Sequence, residues 1–151
     1  MDMTRSGLDI LLVDDNPADT DLTAEVLERH GCQGHIHAVH DGVEAMAFLR
    51  GEGKYAGEPA PQLVMLDLNM PRKDGRAVLA EMKGDPALKK IPIIVFTTSQ
   101  SPKDISCSYE LGANCYVNKP GNLPEFVAAV TEFGNFWFRR AYLPRHHEIY
   151  Q

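Results

Sequence analysis

Two adjacent aspartates, Asp14 and Asp15, follow directly on the apolar run "ILLV" at 10 to 13, and a third, Asp67, follows "LVML" at 63 to 66. Short, almost wholly apolar runs suit strands buried on both faces, so all three acids stand where a strand leaves the core. Thr97 ends the run "IIVFT", and Lys119 comes shortly after "CYV". Carboxylates gathered at one edge repel each other, and desolvation worsens the repulsion unless a cation is bound. Mg²⁺ suits such a set, because it takes oxygen ligands octahedrally, keeps some waters and leaves room for phosphate oxygens. A carboxylate is a weak nucleophile, but phosphoryl transfer asks chiefly for alignment and for neutralisation of spread charge. Acids for a metal, an ammonium group and a hydroxyl are the parts such a reaction needs. Taken alone, the Asp14–Asp15 pair reads equally as acid favoured by a helix start; Asp67 tips the balance toward a metal.

These residues converge only if the strand ends do. Apolar runs at 9–13, 35–39, 63–66, 93–97 and 115–117 alternate with amphipathic segments. Strands joined by right-handed crossover helices make a five-stranded, doubly wound α/β sheet, in which ligands gather outside the carboxyl ends of the strands. Helix starts are marked by Asn16-Pro17, Ser101-Pro102 and Asn122-Leu123-Pro124, a cap followed by proline in the first turn. Asp41 with Glu44, and Asn122 with Glu125, have capping-box spacing, and Gly51 and Gly112 fall where a helix would stop. Ala18, Leu22 and Val26 form the expected buried stripe of the first helix. Residues 50–62, rich in Gly and Pro, read as a surface loop.

The chain of 151 residues, 44% hydrophobic and 24% charged, has the size and composition of one globular domain. A net charge of −6 argues against a nucleic-acid surface, which needs a dense basic patch. No apolar run approaches the roughly 18–20 residues of a membrane span, and the start lacks a signal-peptide pattern, so a cytoplasmic protein is expected. Cys32, Cys107 and Cys115 show no CxxC spacing and read as small apolar residues. His35 and His37 share one face of a strand as solvated side chains, and His146 and His147 lie in a polar tail; none has zinc-like spacing to other ligands.

Four motifs stand in register: "VDD" (13–15), "MLDLNMP" (65–71) with "DG" (74–75), "IIVFTTS" (93–99) and "YVNKP" (116–120). In order and spacing this set resembles the receiver domain of two-component response regulators, over about residues 8–140. The resemblance implies a flavodoxin-like sheet of order 2-1-3-4-5 with five helices. It implies that Asp67 accepts a phosphoryl group and that Asp14, Asp15, Asp67 and the backbone carbonyl of Asn69 hold Mg²⁺, directly or through water. Thr97 and Lys119 would contact the phosphoryl oxygens, and the Lys119–Pro120 bond would be cis. Tyr116 corresponds to an aromatic that turns inward when the hydroxyl residue moves; packing on the sheet edge with its hydroxyl in water is the equal alternative. Thr98 stands where many relatives carry a smaller residue and would restrict access to the phosphoryl group. Gly121 replaces the aromatic that often follows Lys-Pro.

Residues 1–151 are expected to form one domain: a core at 8–140, an aromatic extension at 133–144 and a polar tail at 145–151. Phe126, Val130, Phe133 and Trp137 recur at helical spacing as a core-facing stripe. Phe136, Phe138 and Tyr142 fall outside it, and surplus aromatics point to association. A homodimer through the fourth and fifth helices and the extension is expected, with Phe136, Trp137, Phe138 and Tyr142 at its interface. The chain ends soon after the fifth helix, so output is expected by protein contact. The aromatic extension, the Gly/Pro loop and the "FTTS" and "NCYVNKP" segments are similar to small stand-alone regulators of bacterial phytochrome histidine kinases. That implies a phosphohistidine donor on such a kinase; a different histidine kinase, or an intermediate place in a phosphorelay, is the alternative. The chain would be a signalling domain, not an enzyme, promoting its own phosphoryl transfer and autodephosphorylation. A haloacid-dehalogenase-type phosphatase would need an aspartate two residues after the nucleophile, where Asn69 stands. A calcium loop in "DDNPADTD" fails because Pro17 and Ala18 fill ligand positions.

Overall fold

The computed structural model describes residues 7–150. Strands β1 (Ile10–Val13), β3 (Leu63–Leu66) and β4 (Ile93–Thr97) are buried at every position, which only strands covered on both faces require. They form the middle of a parallel sheet in the order β2-β1-β3-β4-β5. The edges are the half-buried β2 (Ile36–Val39) and β5 (Cys115–Asn118). The order is the one the receiver resemblance implied. Register pairs Val13 with Leu66, Leu66 with Val95 and Thr97 with Asn118. The carboxyl ends of the strands therefore lie in line.

Helices cover both faces: α1 (Pro17–Arg29), α2 (Gly42–Leu49), α3 (Gly75–Gly84), α4 (Pro102–Glu110), α5 (Leu123–Arg139) and a short α6 (His146–Ile149). On one side Leu11, Val13, Val64, Leu66, Ile93 and Val95 pack against Ala45, Val78, Leu79 and Met82 of α2 and α3. On the other, Ile10, Leu12, Met65, Ile94 and Phe96 meet Val26 and Leu27 of α1 and Phe126, Val130 and Phe138 of α5. Each long helix begins on a side-chain oxygen that takes an otherwise orphaned amide. Asn16 receives Ala18 and Asp19, Asp41 receives Glu44, Asp74 receives Ala77, Ser101 receives Asp104 and Asn122 receives Glu125. Gly51 and Gly112 follow α2 and α4 with positive φ, as expected of helix stops.

Several expectations are corrected. In α1 the buried face is Thr20, Thr23, Val26 and Leu27, whereas Ala18 is exposed and Leu22 half-buried. Thr20 tolerates burial because its hydroxyl donates to the Pro17 carbonyl at 3.0 Å. In α5 the buried stripe is Phe126, Val130, Gly134 and Phe138. Phe138, expected at a dimer interface, is 6% exposed and belongs to the core. The buried positions recur every four residues, so the face that α5 turns to α1 runs through Gly134 to Phe138 and not through Phe133 and Trp137. Phe133 and Trp137, placed on the core stripe from sequence, are half-buried at its margin.

The tail is not simply polar. It forms a sixth helix where five were expected, and Ile149 of α6 is 4% exposed, part of the core on the α2 and α3 face of the sheet. Tyr150 donates its hydroxyl to the Pro61 carbonyl at 2.6 Å, and His146 lies 3.1 Å from the buried carboxylate of Asp9. Segment 50–62 carries a 3-10 turn at Gly53–Tyr55, with Tyr55 buried against Phe48. His37, expected in solvent, is half-buried with its ring centroid 4.4 Å from that of Phe48. Among the described residues no peptide bond is cis, so Lys119–Pro120 is trans, the isomer the tertiary amide favours by about 0.5–1 kcal/mol.

Candidate functional site

Three ladder bonds carry the strand register one residue past the sheet. The amides of Asp14, Asp67 and Lys119 donate to the carbonyls of Val39, Val13 and Thr97 at 3.1, 2.9 and 2.7 Å. The side chains that sequence placed at strand ends thereby meet. Ligand oxygens of Asp14, Asp15 and Asp67 lie within 4.8 Å of one another. Lys119 reaches over them from β5, its Nζ 2.5 Å from Asp14, 2.9 Å from Asp19 and 3.6 Å from Asp67.

Asp67 is placed by the turn that follows it. The amide of Gly75 donates to the Leu68 carbonyl at 2.9 Å, and a Cβ on Gly75 would stand 2.1 Å from the Asp67 carbonyl oxygen. Only glycine permits that approach, which is the physical content of the "DG" at 74–75. On the opposite side of the turn Arg72 adopts φ 65° and its guanidinium clasps Asp41, the α2 cap, at 2.8 and 2.7 Å. Asn69, a carbonyl ligand by resemblance, is exposed on the same turn.

Charge in the site is unevenly shared. Burial pushes the Asp14 carboxyl above the ordinary aspartate value, against the pull of Lys119 and the Asn16 amide. Burial alone would lower the Lys119 pKa, but Asp14 and Asp19 outweigh it and hold the group above the ordinary lysine value. One ammonium group faces several carboxylates, so the edge retains net negative charge suited to a divalent cation. The hydroxyl of Thr97 is the one buried side-chain polar atom among the described residues without a hydrogen-bond partner. Such an orphan costs about 1–3 kcal/mol.

Thr98 is exposed beside it and Gly121 is exposed beyond Pro120. Tyr116 is half-buried, and its hydroxyl donates to the Ser99 carbonyl at 2.9 Å, so it does not end in water. Phe136 and Tyr142 are 52% and 76% exposed. With half-buried Trp137, Phe136 borders an apolar cavity of about 230 Å³ beside Cys115 and Val117 of β5. Residues that sequence reasoning missed are Asp19, whose carboxylate lies 2.9 Å from Lys119 Nζ, and His40, whose Nδ1 lies 2.8 Å from the Asp14 carbonyl. Asp19 stands three residues after the Asn16 cap, a spacing that turns it toward the strand ends.

Residues 10–131 match the family model of the response regulator receiver domain. The chain is 46% identical over 135 residues to the response regulator Rcp1 of Synechocystis sp., covering 89% of this chain and 92% of that protein. Its structure superposes on the phosphorylated cyanobacterial phytochrome response regulator RcpA with a TM-score of 0.88 and 46% identity, covering 93% of this chain and 100% of the other. The Mn²⁺-bound form of Rcp1 gives 0.87 and 45%, covering 91% and 99%.

Proposed function

This chain belongs to the response regulator receiver family, and from that premise we propose that Asp67 is its phosphoryl acceptor and Mg²⁺ its working metal. The observation that carries the reading is Asp67 lying among Asp14, Asp15 and Lys119, with Thr97, whose buried hydroxyl has no partner, accepting the Lys119 amide on its carbonyl. Asp14, Asp15 and Asp67 would hold the ion, with the Asn69 carbonyl as a further ligand. When bound, Mg²⁺ supplies positive charge against the phosphoryl oxygens.

A carboxylate oxygen of Asp67 forms the new O–P bond as the N–P bond of a phosphohistidine breaks, and the leaving imidazole takes up a proton from water. Lys119 then has a phosphoryl oxygen to pair with in place of Asp14 or Asp19, a charge-assisted bond stronger than a neutral one. Thr97 donates its free hydroxyl to another oxygen. That shift of a β4 residue passes along the following loop to Tyr116.

The donor we favour is a phytochrome histidine kinase, because similar proteins are named as phytochrome response regulators; such a donor puts the chain in the cytoplasm. Autodephosphorylation would follow when water attacks the acyl phosphate. Output is by contact, through a homodimer in which α4, α5, Phe136, Trp137 and Tyr142 face a second copy. Phosphotransfer from a phytochrome kinase and from an unrelated histidine kinase at equal concentration tests the partner. Faster transfer from the phytochrome kinase supports it, and equal rates overturn it.

A further inference from the structure

Asp104, in the first turn of α4, uses both carboxylate oxygens on different parts of the fold. Oδ1 accepts from Arg76 Nη2 at 2.7 Å, and Oδ2 accepts from the Ser99 hydroxyl at 2.6 Å. Arg76 is the second residue of α3, next to Gly75, whose backbone is pressed against the Asp67 carbonyl. Ser99 lies two residues beyond Thr97 and supplies the carbonyl that holds the Tyr116 hydroxyl. A continuous polar chain thus runs from the turn behind Asp67, through Arg76, Asp104 and Ser99, to Tyr116. The Ser101 cap and the Ser108 hydroxyl, which donates to the Asp104 carbonyl at 2.7 Å, fix the backbone of Asp104 as well.

We propose that Arg76 and Asp104 are positioning residues that tie the loop after β4 to α3, and so set where Ser99 holds the Tyr116 hydroxyl and how far that hydroxyl follows a change at Asp67. The proposal rests on the reading of Asp67 as phosphoryl acceptor and extends it to groups that touch neither phosphoryl nor metal. Its physical basis is stiffness. When Thr97 is drawn toward a phosphoryl oxygen, the connected Ser99 either breaks its bond to Asp104 or carries the start of α4 with it. The single Arg76–Asp104 contact is a charge-assisted bond, the stronger kind, and keeps Asp104 from yielding. The Ser99 hydroxyl and then Arg76 hold the Asp104 carboxyl below the ordinary aspartate range, so the clip stays charged at neutral pH.

The test labels the tyrosines with 3-fluorotyrosine, assigns the Tyr116 resonance by Tyr116→Phe, and follows it by ¹⁹F NMR before and after acetyl phosphate with Mg²⁺. Intact mass gives the phosphoryl content in parallel. In unmodified protein, Arg76→Ala and Asp104→Asn move the Tyr116 resonance away from its wild-type position, and Arg76→Lys moves it less. After phosphorylation both disrupted variants carry the same phosphoryl content as wild type, while their Tyr116 displacement falls by about half or more. A Tyr116 resonance unchanged in both variants, or a full wild-type displacement in them, overturns the clip. A wild type that takes up no phosphoryl group would instead overturn the acceptor reading, and the unmodified-state comparison still decides whether the clip sets the position of Tyr116.

Discussion

The ammonium group of Lys119 stands 3.6 Å from Oδ2 of Asp67, beyond hydrogen-bond range, because Asp14 at 2.5 Å and Asp19 at 2.9 Å hold it to one side. The same cation therefore offsets the carboxylates on which a metal must bind. At about 4 Å a unit charge is worth about 1 kcal/mol in water and more at a partly buried site. Lys119→Met is expected to tighten Mg²⁺ by at least about five-fold while slowing phosphoryl uptake. Calorimetric titration measures the first, and affinity that is unchanged or weaker contradicts the electrostatic reading.

Asp41 gives a pH-dependent contribution whose sign follows from its partners. Burial alone would raise its pKa, but the Glu44 amide and Arg72 outweigh that and hold the carboxyl below the ordinary aspartate value. A depressed folded pKa contributes stability that is fully present above the unfolded value, about pH 4, and is lost as pH falls through the folded one. Asp41→Asn keeps an oxygen for the helix cap and removes the charge. Because Arg72 is more than half exposed, the loss at pH 7 should be about 1 kcal/mol or less, shrinking below about pH 4. Denaturant midpoints for both proteins at pH 7 and at about pH 3 check this; an equal gap at both contradicts it.

Phe136 and Phe138 separate packing from association. Phe138 fills the space between α5 and α1, so Phe138→Ala should cost about 3–5 kcal/mol. Phe136 is half exposed beside the apolar cavity at β5, so Phe136→Ala should change monomer stability by less than about 0.5 kcal/mol yet weaken self-association. Chemical unfolding and sedimentation velocity on both variants give the answer. A monomeric wild type at tens of micromolar would remove the dimer.

The sheet and most of the site were legible because their signals are local. Strand ends show as apolar runs stopping at Asp14, Asp67 and Thr97, and parallel connectivity brings them to one edge whatever the details of packing. Helix faces were less legible, because the buried side depends on how closely two helices approach. In α5 the i+3 and i+4 continuations beyond Val130 both carry aromatics, Phe133 with Trp137 and Gly134 leading to Phe138, and only the packing on α1 selects the second. The tail was misread because four residues of α6 carry one apolar anchor, Ile149, among histidines and a glutamate. Asp19 and Arg76 escaped notice because each has a bland local role, first-turn acid and surface base, and only the fold brings Lys119 to the one and Asp104 to the other.

The central claim is that one carboxylate among the three acids is the modified group. Wild type and Asp67→Asn are incubated with acetyl phosphate, with Mg²⁺ and with chelator, and intact mass is read before and after hydroxylamine, which cleaves acyl phosphates. One phosphoryl group on wild type, dependent on Mg²⁺, removed by hydroxylamine and missing from Asp67→Asn, is the expected result. Equal labelling of Asp67→Asn, or labelling of wild type that survives both chelator and hydroxylamine, would contradict it.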